Sequence, residues 1–248
     1  MALLSGIFLL TLGWIAGLLI NYLADQLPFF RSLHQPRCRR CSGLQSWLQF
    51  FFQEDCPICG ATQANRHKAV QIAYPLLFIG SLFWIPGRLI LLEVILILTY
   101  FGLVLIIDLE HRLILNLVIY VGAFLGIIAG FRLHGPGNTL LGGAAGFAMM
   151  LILYWIGELF THFLSKRRGE PIEEVALGFG DVNLSGVLGL FLGWPGITLG
   201  LFVAIVLGGI ASAVFLIVMT LRREYKAFTA LPYAPFLLFA TLFLLFRP

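Results

Sequence analysis

Long runs of apolar residues, separated by short polar segments, limit what this chain can fold into more than any other feature of its sequence. Hydrophobic residues make up 60% of the 248 residues and charged residues only 11%, and the mean hydropathy is +0.96. Soluble domains carry roughly 25% charged residues, so this composition excludes a soluble globular fold. Because a membrane-crossing helix needs about 20 apolar residues, we predict an all-α, polytopic transmembrane helical bundle.

Eight apolar segments can be delimited by prolines, glycines and polar clusters. They cover residues 3–23, 69–84, 88–107, 113–131, 138–164, 181–192, 197–221 and 233–246. This pattern predicts about eight transmembrane spans. No cleavable signal peptide is expected, because the first apolar run continues to about Leu23 without a small-residue cleavage site.

The only long polar segment is an insertion that covers residues 28–68 and contains all four cysteines. It divides the chain into a first transmembrane helix (1–27), a Cys-rich insertion (28–68) and a part with seven further helices (69–248).

Positively charged residues lie almost entirely on one side of the predicted membrane. If the insertion faces the cytoplasm and the helices alternate in direction, only Arg88, Arg132 and Arg247 of the sixteen Lys and Arg residues lie on the other side. Such a bias sets the orientation of membrane proteins. We therefore expect the insertion, Asp108 and Asp181 to lie on the cytoplasmic side.

The four cysteines form two Cys-x-x-Cys pairs, Cys38 with Cys41 and Cys56 with Cys59. Two such pairs can present four thiolates to one Zn²⁺ ion in a tetrahedron. Four reduced, unligated cysteines are the alternative, or disulfides if the topology is inverted. The paired spacing in a cytoplasmic loop favours zinc. Because a Cys₄ site leaves no coordination position open, this zinc is expected to be structural.

Two aspartates lie where the chain enters or leaves apolar segments. Asp108 follows the apolar run 101–107, and Asp181 lies in the stretch 177–184 at the start of another. Gly178 and Gly180, which carry no Cβ, let the backbone there pass close to a neighbour or a substrate chain. An ionisable residue at the membrane edge is costly and therefore indicates function. A pair of carboxylates can hydrolyse a peptide bond when one activates water and the other, protonated, polarises the carbonyl.

Each aspartate alone is also explained as an ordinary acid at a helix end, with Asp181 as a helix N-cap. The presence of both on one membrane face favours the functional interpretation. Glu93 and Glu158 are further acids within apolar segments. For these two, a relay group and a polar group packed inside the bundle are alternative interpretations.

The segments around both aspartates resemble the two active-site motifs of the type IV prepilin peptidases, the Gly-x-Gly-Asp membrane aspartyl proteases. These segments are 107–114 and 178–184. The resemblance extends to 17–21 and 27–28 at the end of the first helix, to the cysteine insertion, and to 231–236 before the last helix. It implies that Asp108 and Asp181 are the catalytic pair and that 69–248 is the membrane protease domain.

The resemblance also implies substrates, cofactors and a location. Prepilins and pseudopilins would be cut on the cytoplasmic side of the bacterial inner membrane, after a Gly that precedes a hydrophobic helix. Methylation of the new N-terminus with S-adenosylmethionine would be a second activity beside the structural Zn²⁺. The expected partners are these substrates and the lipid bilayer. No nucleic-acid partner is expected, since the net charge of +4 gives no indication of one.

Two other functions remain open from the sequence. A non-enzymatic membrane scaffold or small transporter with a zinc-stabilised loop would also contain intramembrane acids, which mark ion pathways. An ion-conduction path needs polar groups across the whole thickness of the membrane, however. Glu93 is the one candidate for such a group toward the side opposite the two aspartates. A protease of the same mechanism that acts on preflagellin-like or other membrane substrates is the second alternative.

Overall fold

The computed structural model of the chain describes all residues except 1, 31–32, 34, 53–54, 63–64, 85–88, 169–177, 223–231 and 248. Several features that the sequence singled out lie outside the described residues: the turn 86–87, Arg88, most of the polar loop 166–176, Leu177, the basic residues of 223–226 and Leu231.

The described residues form eight helices and no strand, apart from one isolated antiparallel bridge between Arg37 and Leu44. In chain order the helices are α1 Ala2–Phe30, α2 Trp47–Phe51, α3 Asn65–Trp84, α4 Leu91–His111, α5 Asn116–Arg168, α6 Phe179–Leu192, α7 Gly196–Leu221 and α8 Ala234–Leu245. The predicted all-α fold class is confirmed.

Within the described part of the chain, four helical segments are long and apolar enough to cross a membrane. They are Gly6–Phe30 in α1, Leu91–His111 (α4), Asn116–Phe163 in α5 and Gly196–Leu221 (α7). Helices α6 and α8 are apolar but shorter. Two of the predicted spans, 113–131 and 138–164, fall largely within the one helix α5. A multi-pass membrane protein follows from these lengths, and the number of eight spans stays a prediction.

The chain divides into two compact units, 1–107 and 108–248. The first unit contains the Cys-rich insertion with α1, α2, α3 and most of α4. The second unit begins with Asp108 and also contains Asp181, so both aspartates lie in one unit. The three-part division proposed from the sequence stays a prediction.

In the second unit, α5 is broken at Gly135, whose φ of 77° and ψ of 164° are not helical. Positive φ is accessible to Gly because it has no Cβ. Pro136 follows and suits the first position of a new helical segment, where its missing N–H is not needed. The break coincides with the turn that the sequence predicts at 134–137. It leaves two helical arms, 116–134 and 136–168.

Small residues allow both arms of α5 to approach α6 closely. A Cβ atom at Gly130 in the first arm would lie 2.2 Å from the carbonyl oxygen of Leu190. A Cβ atom at Gly142 in the second arm would lie 2.4 Å from the carbonyl oxygen of Gly189. Backbone-to-backbone contact of this kind is typical of helices packed in lipid. It fixes α6, and with it the position of Asp181 in the first turn of that helix.

In the first unit, α1 and α3 pack against each other just as closely. A Cβ atom at Gly13 would lie 2.6 Å from the Cα atom of Pro75. Nearer the insertion, the side-chain amide of Asn21 donates a hydrogen bond of 3.2 Å to the carbonyl oxygen of His67. This packing holds the end of α1, including Asp25, beside the start of α3.

Many large apolar side chains remain exposed on the helices. Phe124 and Trp155 in α5 are 65% and 68% exposed, and Phe202 and Ile210 in α7 are 63% and 57% exposed. Soluble monomers rarely expose large contiguous apolar surfaces. Contact with lipid explains these side chains, in agreement with the predicted membrane class.

Replacing Gly142 by Ala is expected to destabilise the second unit, because the new Cβ would lie 2.4 Å from the carbonyl oxygen of Gly189. Overpacking of this kind costs roughly 1–3 kcal/mol. Thermal unfolding of the detergent-purified protein should show a lower midpoint. Gly209→Ala in α7 is the matched control, since its Cβ would meet no heavy atom within 4 Å. Equal midpoints for the two variants would contradict the proposed packing.

Candidate active site and cysteine centre

Asp108 lies in the last turn of α4 and its residue is only 5% exposed. The helix closes at Arg112, which has a φ of 51° and donates its backbone N–H to the carbonyl oxygen of Asp108 at 2.8 Å. The Arg112 side chain is close enough to attract the Asp108 carboxylate. The Oδ2 atom of Asp108 accepts no hydrogen bond from the described residues. One carboxylate oxygen is therefore buried and available to bind another group.

Asp181 lies in the first turn of α6 and is 8% exposed. The N-cap of α6 is Gly178, so the sequence-based alternative that Asp181 itself is the N-cap is wrong by three residues. The Asp181 backbone N–H donates to the Gly178 carbonyl oxygen at 3.0 Å, and the Gly178 N–H in turn donates to the Asp181 carboxylate. This reciprocal arrangement resembles half of a capping box and orients the carboxylate.

The structure brings Asp108 and Asp181 close enough for their charges to repel each other. The start of α6 also approaches the residues that follow α4, since a Cβ atom at Gly180 would lie 3.0 Å from the Cβ atom of Ile114. Gly180 therefore lies where the two segments approach each other closely. At Gly178 a Cβ atom would meet only the Asp181 carboxylate, at an ordinary 3.5 Å.

Tyr233, at the N-cap of α8, is a member of this site that sequence reasoning missed. Its hydroxyl lies close enough to Asp181 to be affected by that carboxylate's charge. The ring packs near Gly208, where a Cβ atom would lie 3.1 Å from the Tyr233 ring. Tyr233 lies in the stretch 231–236 that carries the family resemblance, but no feature of the sequence links its hydroxyl to Asp181.

Two buried carboxylates at interacting distance suit acid–base chemistry. Like charges in a medium of low polarity cannot both ionise cheaply, so the pair favours a state that retains one proton. Such a pair contains an acceptor and a donor of protons at the same time. This geometry can activate a water molecule and polarise a carbonyl group without any metal ion at the site.

The two cysteine pairs form turns of the same geometry. In the first, the backbone N–H of Ser42 donates to the carbonyl oxygen of Cys38 at 2.9 Å. In the second, the N–H of Gly60 donates to the carbonyl oxygen of Cys56 at 2.8 Å. Ser42 and Gly60 both have a positive φ, of 57° and 64°. The equivalent turns direct all four sulfur atoms toward one point.

The four sulfur atoms lie within 4.8 Å of one another. Cys38 and Cys59 are 3.7 Å apart, as are Cys41 and Cys56. Four sulfurs about 2.3 Å from one Zn²⁺ ion at tetrahedral corners would lie about 3.8 Å from each other. The cluster therefore fits a single tetrahedral metal ion, and none of the four cysteines forms a disulfide.

The turn geometry also favours a thiolate at Cys56. The backbone N–H groups of Cys59 and Ile58 hydrogen-bond to its sulfur and hold the pKa of the Cys56 thiol at about 6, well below its ordinary value. A thiolate is the form that binds metal. The pKa of the Cys59 thiol is raised by its contacts with the other three cysteines, so the fit to a metal rests on the distances between the four sulfur atoms.

The two other acids that the sequence singled out have local partners. Glu93 is 8% exposed and accepts a hydrogen bond of 3.2 Å from the backbone N–H of Ile90, at the start of its own helix. Glu158 is exposed and hydrogen-bonds to the Tyr154 side chain, four residues earlier in α5. These contacts explain both acids without a relay role.

Part of the chain, from α4 to α7, is similar in sequence to a known protease family. The model of the type IV leader peptidase family matches residues 94–213, which include both aspartates. The match confirms the resemblance seen in the two motifs. The cysteines lie outside the matched residues. No solved structure matches the chain significantly.

Curated relatives match most of the chain. One from Myxococcus xanthus is 24% identical over 86% of this chain and 64% of its own length. Others from Stutzerimonas stutzeri and Pseudomonas aeruginosa are 28% and 27% identical, over 84% and 75% of this chain and 66% and 59% of their own lengths. All three are named prepilin leader peptidase/N-methyltransferase. The chain thus spans less than two thirds of the length of each.

Replacing Asp108 by Asn is expected to raise the thermal stability of the protein at alkaline pH, because the change removes one of two buried charges that repel each other. The repulsion requires both carboxylates to be ionised. The gain in unfolding midpoint over the wild type should therefore be largest at high pH and decrease as the pH falls.

Asp55→Asn is the matched control for this experiment, since it makes the same Asp-to-Asn change at an exposed residue of the other unit. Its unfolding midpoint should follow that of the wild type across the pH range. A stability difference for Asp108→Asn that does not change with pH would contradict the repulsion between the aspartates.

Proposed function

We propose that this protein is a membrane aspartic endopeptidase whose catalytic residues are Asp108 and Asp181. The proposal rests on one observation above all: both carboxylates are buried, their charges interact, and both lie within the segment that matches the type IV leader peptidase family. The alternative of a transporter has no comparable support. Glu93, the candidate polar group of an ion path, accepts a hydrogen bond from the backbone N–H of Ile90 at the start of its own helix.

In the proposed mechanism the two aspartates divide the acid and base roles. The ionised member takes a proton from the attacking water, and the protonated member donates a hydrogen bond to the carbonyl oxygen of the scissile bond. The oxygen of the water bonds to the carbonyl carbon, and the leaving nitrogen receives a proton as the C–N bond breaks. The Gly178 N–H holds one of these carboxylates in position.

The proposed substrates are prepilins and pseudopilins, cut after a Gly that precedes a hydrophobic helix. The names of the relatives support this substrate class. The distribution of Lys and Arg residues supports cleavage on the cytoplasmic side of the bacterial inner membrane. Phe179 is 51% exposed and Gly178 is exposed, so the backbone before Asp181 is accessible to an extended substrate segment.

Methylation of the new N-terminus is the proposed second activity. It is supported by the names of the relatives, which include N-methyltransferase. S-adenosylmethionine would supply an electrophilic methyl group for such a reaction: the amine nitrogen would bond to the methyl carbon and give up a proton, and the carbon–sulfur bond would break to release S-adenosylhomocysteine. The protein's contribution would be to bind the methyl donor and to present the amine.

Substituting either aspartate by Asn should abolish cleavage of a prepilin-like peptide that carries Gly before its hydrophobic helix. Asn has the size of Asp but can neither accept the proton of water nor donate a carboxyl proton. Loss by at least 1,000-fold is the order of magnitude expected when a residue that acts as part of a catalytic unit is removed. Cleavage is measured by mass spectrometry of the peptide products.

Glu158→Gln is the control in this assay, since it removes an exposed acid from α5 outside the proposed site. The control should cleave at the rate of the wild type. Substantial activity in either Asn variant would rule out the two-carboxylate mechanism, and no cleavage by the folded wild type would rule out the proposed substrate class.

We further propose that the four cysteines bind one structural Zn²⁺ ion. The sulfur atoms of Cys38 and Cys59 are 3.7 Å apart, as are those of Cys41 and Cys56, which supports a shared metal ion. Four sulfur atoms also form a complete set of ligands for zinc. A closed site leaves no position for a substrate, so the metal would stabilise the insertion. The hydrolytic step would not involve it.

Elemental analysis of protein purified without chelators is expected to give about one zinc per chain. Cys56→Ser should remove most of the bound metal, because it replaces a buried ligand. Ser42→Gly is the control: it gives the first turn the residue that the second turn has at Gly60, and a positive φ suits Gly there. Wild-type protein without stoichiometric zinc would exclude the site.

A further inference from the structure

The short helix α2 gives the polar insertion a surface that is largely apolar. Residues 42–52 include no charged residue, and four of the six residues 47–52 are aromatic. Phe50 is buried, but Leu48 and Phe52 are 66% and 72% exposed. Exposed apolar patches of this kind mark sites that bind another protein or a membrane. Neither the two aspartates nor the cysteine cluster explains this one.

Ring contacts place α2 directly against α1. The Trp47 ring centroid lies 5.1 Å from that of Tyr22, and the Phe50 ring meets the same tyrosine edge-on at 6.1 Å. Tyr22 is itself buried. Helix α2 therefore does not project away from the membrane helices. It lies alongside α1 at the level of Tyr22.

Tyr22 marks the edge of the apolar layer. At a rise of about 1.5 Å per residue, residues 3–23 of α1 span about 31 Å, which matches the thickness of the hydrocarbon core. Tyr22 lies in the last turn of this run, and the candidate membrane span Gly6–Phe30 extends further still. By either limit, Tyr22 lies no farther from the centre of the bilayer than the edge of its hydrocarbon.

Helix α3 gives a second, independent indication of the depth of α2. The Phe50 ring lies 5.6 Å from the ring of His67, which precedes the apolar segment 69–84 by two residues. The Asn21 amide donates its hydrogen bond to the carbonyl oxygen of that same His67, so the apolar parts of α1 and α3 end at one level. Both helices thus place α2 at the boundary between hydrocarbon and lipid headgroups.

We propose that α2 is an interfacial membrane anchor and that lipid covers its exposed side chains. Trp47, Leu48 and Phe52 insert between the headgroups and the first carbons of the acyl chains. Tryptophan rings favour this level of a bilayer, and apolar helix faces lie in the same plane. The anchor holds the cysteine insertion against the membrane surface. This inference rests on the membrane class of the protein and on neither the peptidase nor the metal proposal.

The depth of Trp47 can be measured in nanodiscs of phosphatidylethanolamine and phosphatidylglycerol that each hold one full chain. Lipids with a nitroxide near the headgroup or near the end of an acyl chain quench tryptophan fluorescence at the matching depth. The emission of the wild type minus that of Trp47→Phe isolates the Trp47 signal, and Phe keeps an aromatic ring beside Tyr22. We expect the shallow nitroxide to quench this signal about twofold more strongly than the deep one, because Trp rings favour the headgroup level.

Trp14→Phe is the matched control for this measurement. Trp14 is 44% exposed, against 41% for Trp47, and lies near the middle of the run 3–23. Its signal, isolated in the same way, should be quenched more strongly by the deep nitroxide. Unfolding midpoints equal to that of the wild type show that both variants are folded.

Three results would overturn the proposal. Quenching of the Trp47 signal by aqueous iodide, with none by either lipid nitroxide, would mean that α2 faces water. Stronger quenching by the deep nitroxide would place α2 inside the hydrocarbon. Protection from iodide and from both nitroxides in vesicles with many chains, lost in single-chain nanodiscs, would make a second copy of the chain the occupant.

A second measurement requires no substitution. The wild-type chain is irradiated in nanodiscs that contain a phospholipid with a photoactivatable diazirine on its acyl chain, close to the headgroup. Mass spectrometry of the digested chain should find lipid adducts on the peptide that contains residues 47–52. A chain that is labelled on α1 but not on this peptide would contradict the anchor.

Discussion

The repulsion between Asp108 and Asp181 is the interaction that the packing of the second unit has to withstand. Two like charges at this distance separate unless the helices that carry them are held by stronger contacts. The small residues of α5 provide such contacts, because Gly130 and Gly142 bring both arms of α5 against the backbone of α6. Close packing near the C-terminal end of α6 thus also holds in place the Asp181 carboxylate in the first turn of that helix.

The insertion in the first unit is held together by a different kind of interaction. Among its described residues, few apolar side chains are buried apart from Phe50, Cys38 and Cys56, and α2 has only five residues. Segments this small need a metal or cross-links to be stable. Two turns of equal geometry around Cys38 and Cys56 bring together four sulfur atoms that fit one metal ion. The ion pairs that Asp25 forms with Arg39, Arg66 and His67 join the insertion to α1 and α3.

The sequence was sufficient for features that depend on local patterns. The apolar runs predict the helices, the break at Gly135 follows from Gly-Pro, and the cysteine spacing predicts the cluster. Contacts between distant residues that belong to no recognisable motif could not be predicted. The importance of Asp25 is one example, because its partner His67 approaches it only through the packing of α1 on α3. The proximity of Tyr233 to Asp181 is of the same kind.

Burial alone does not identify a functional carboxylate in this protein, and the comparison of Asp25 with Asp108 shows why. Both are 5% exposed. Asp25 is surrounded by cationic partners that compensate its charge, so its ionised form is part of a stable ion-pair network. At Asp108 the attraction of the Arg112 side chain opposes the repulsion of the Asp181 carboxylate. The Oδ2 atom of Asp108 accepts no hydrogen bond from the described residues. A buried carboxylate whose charge is compensated this poorly is kept at a cost to stability, which is expected where proton transfer is the function.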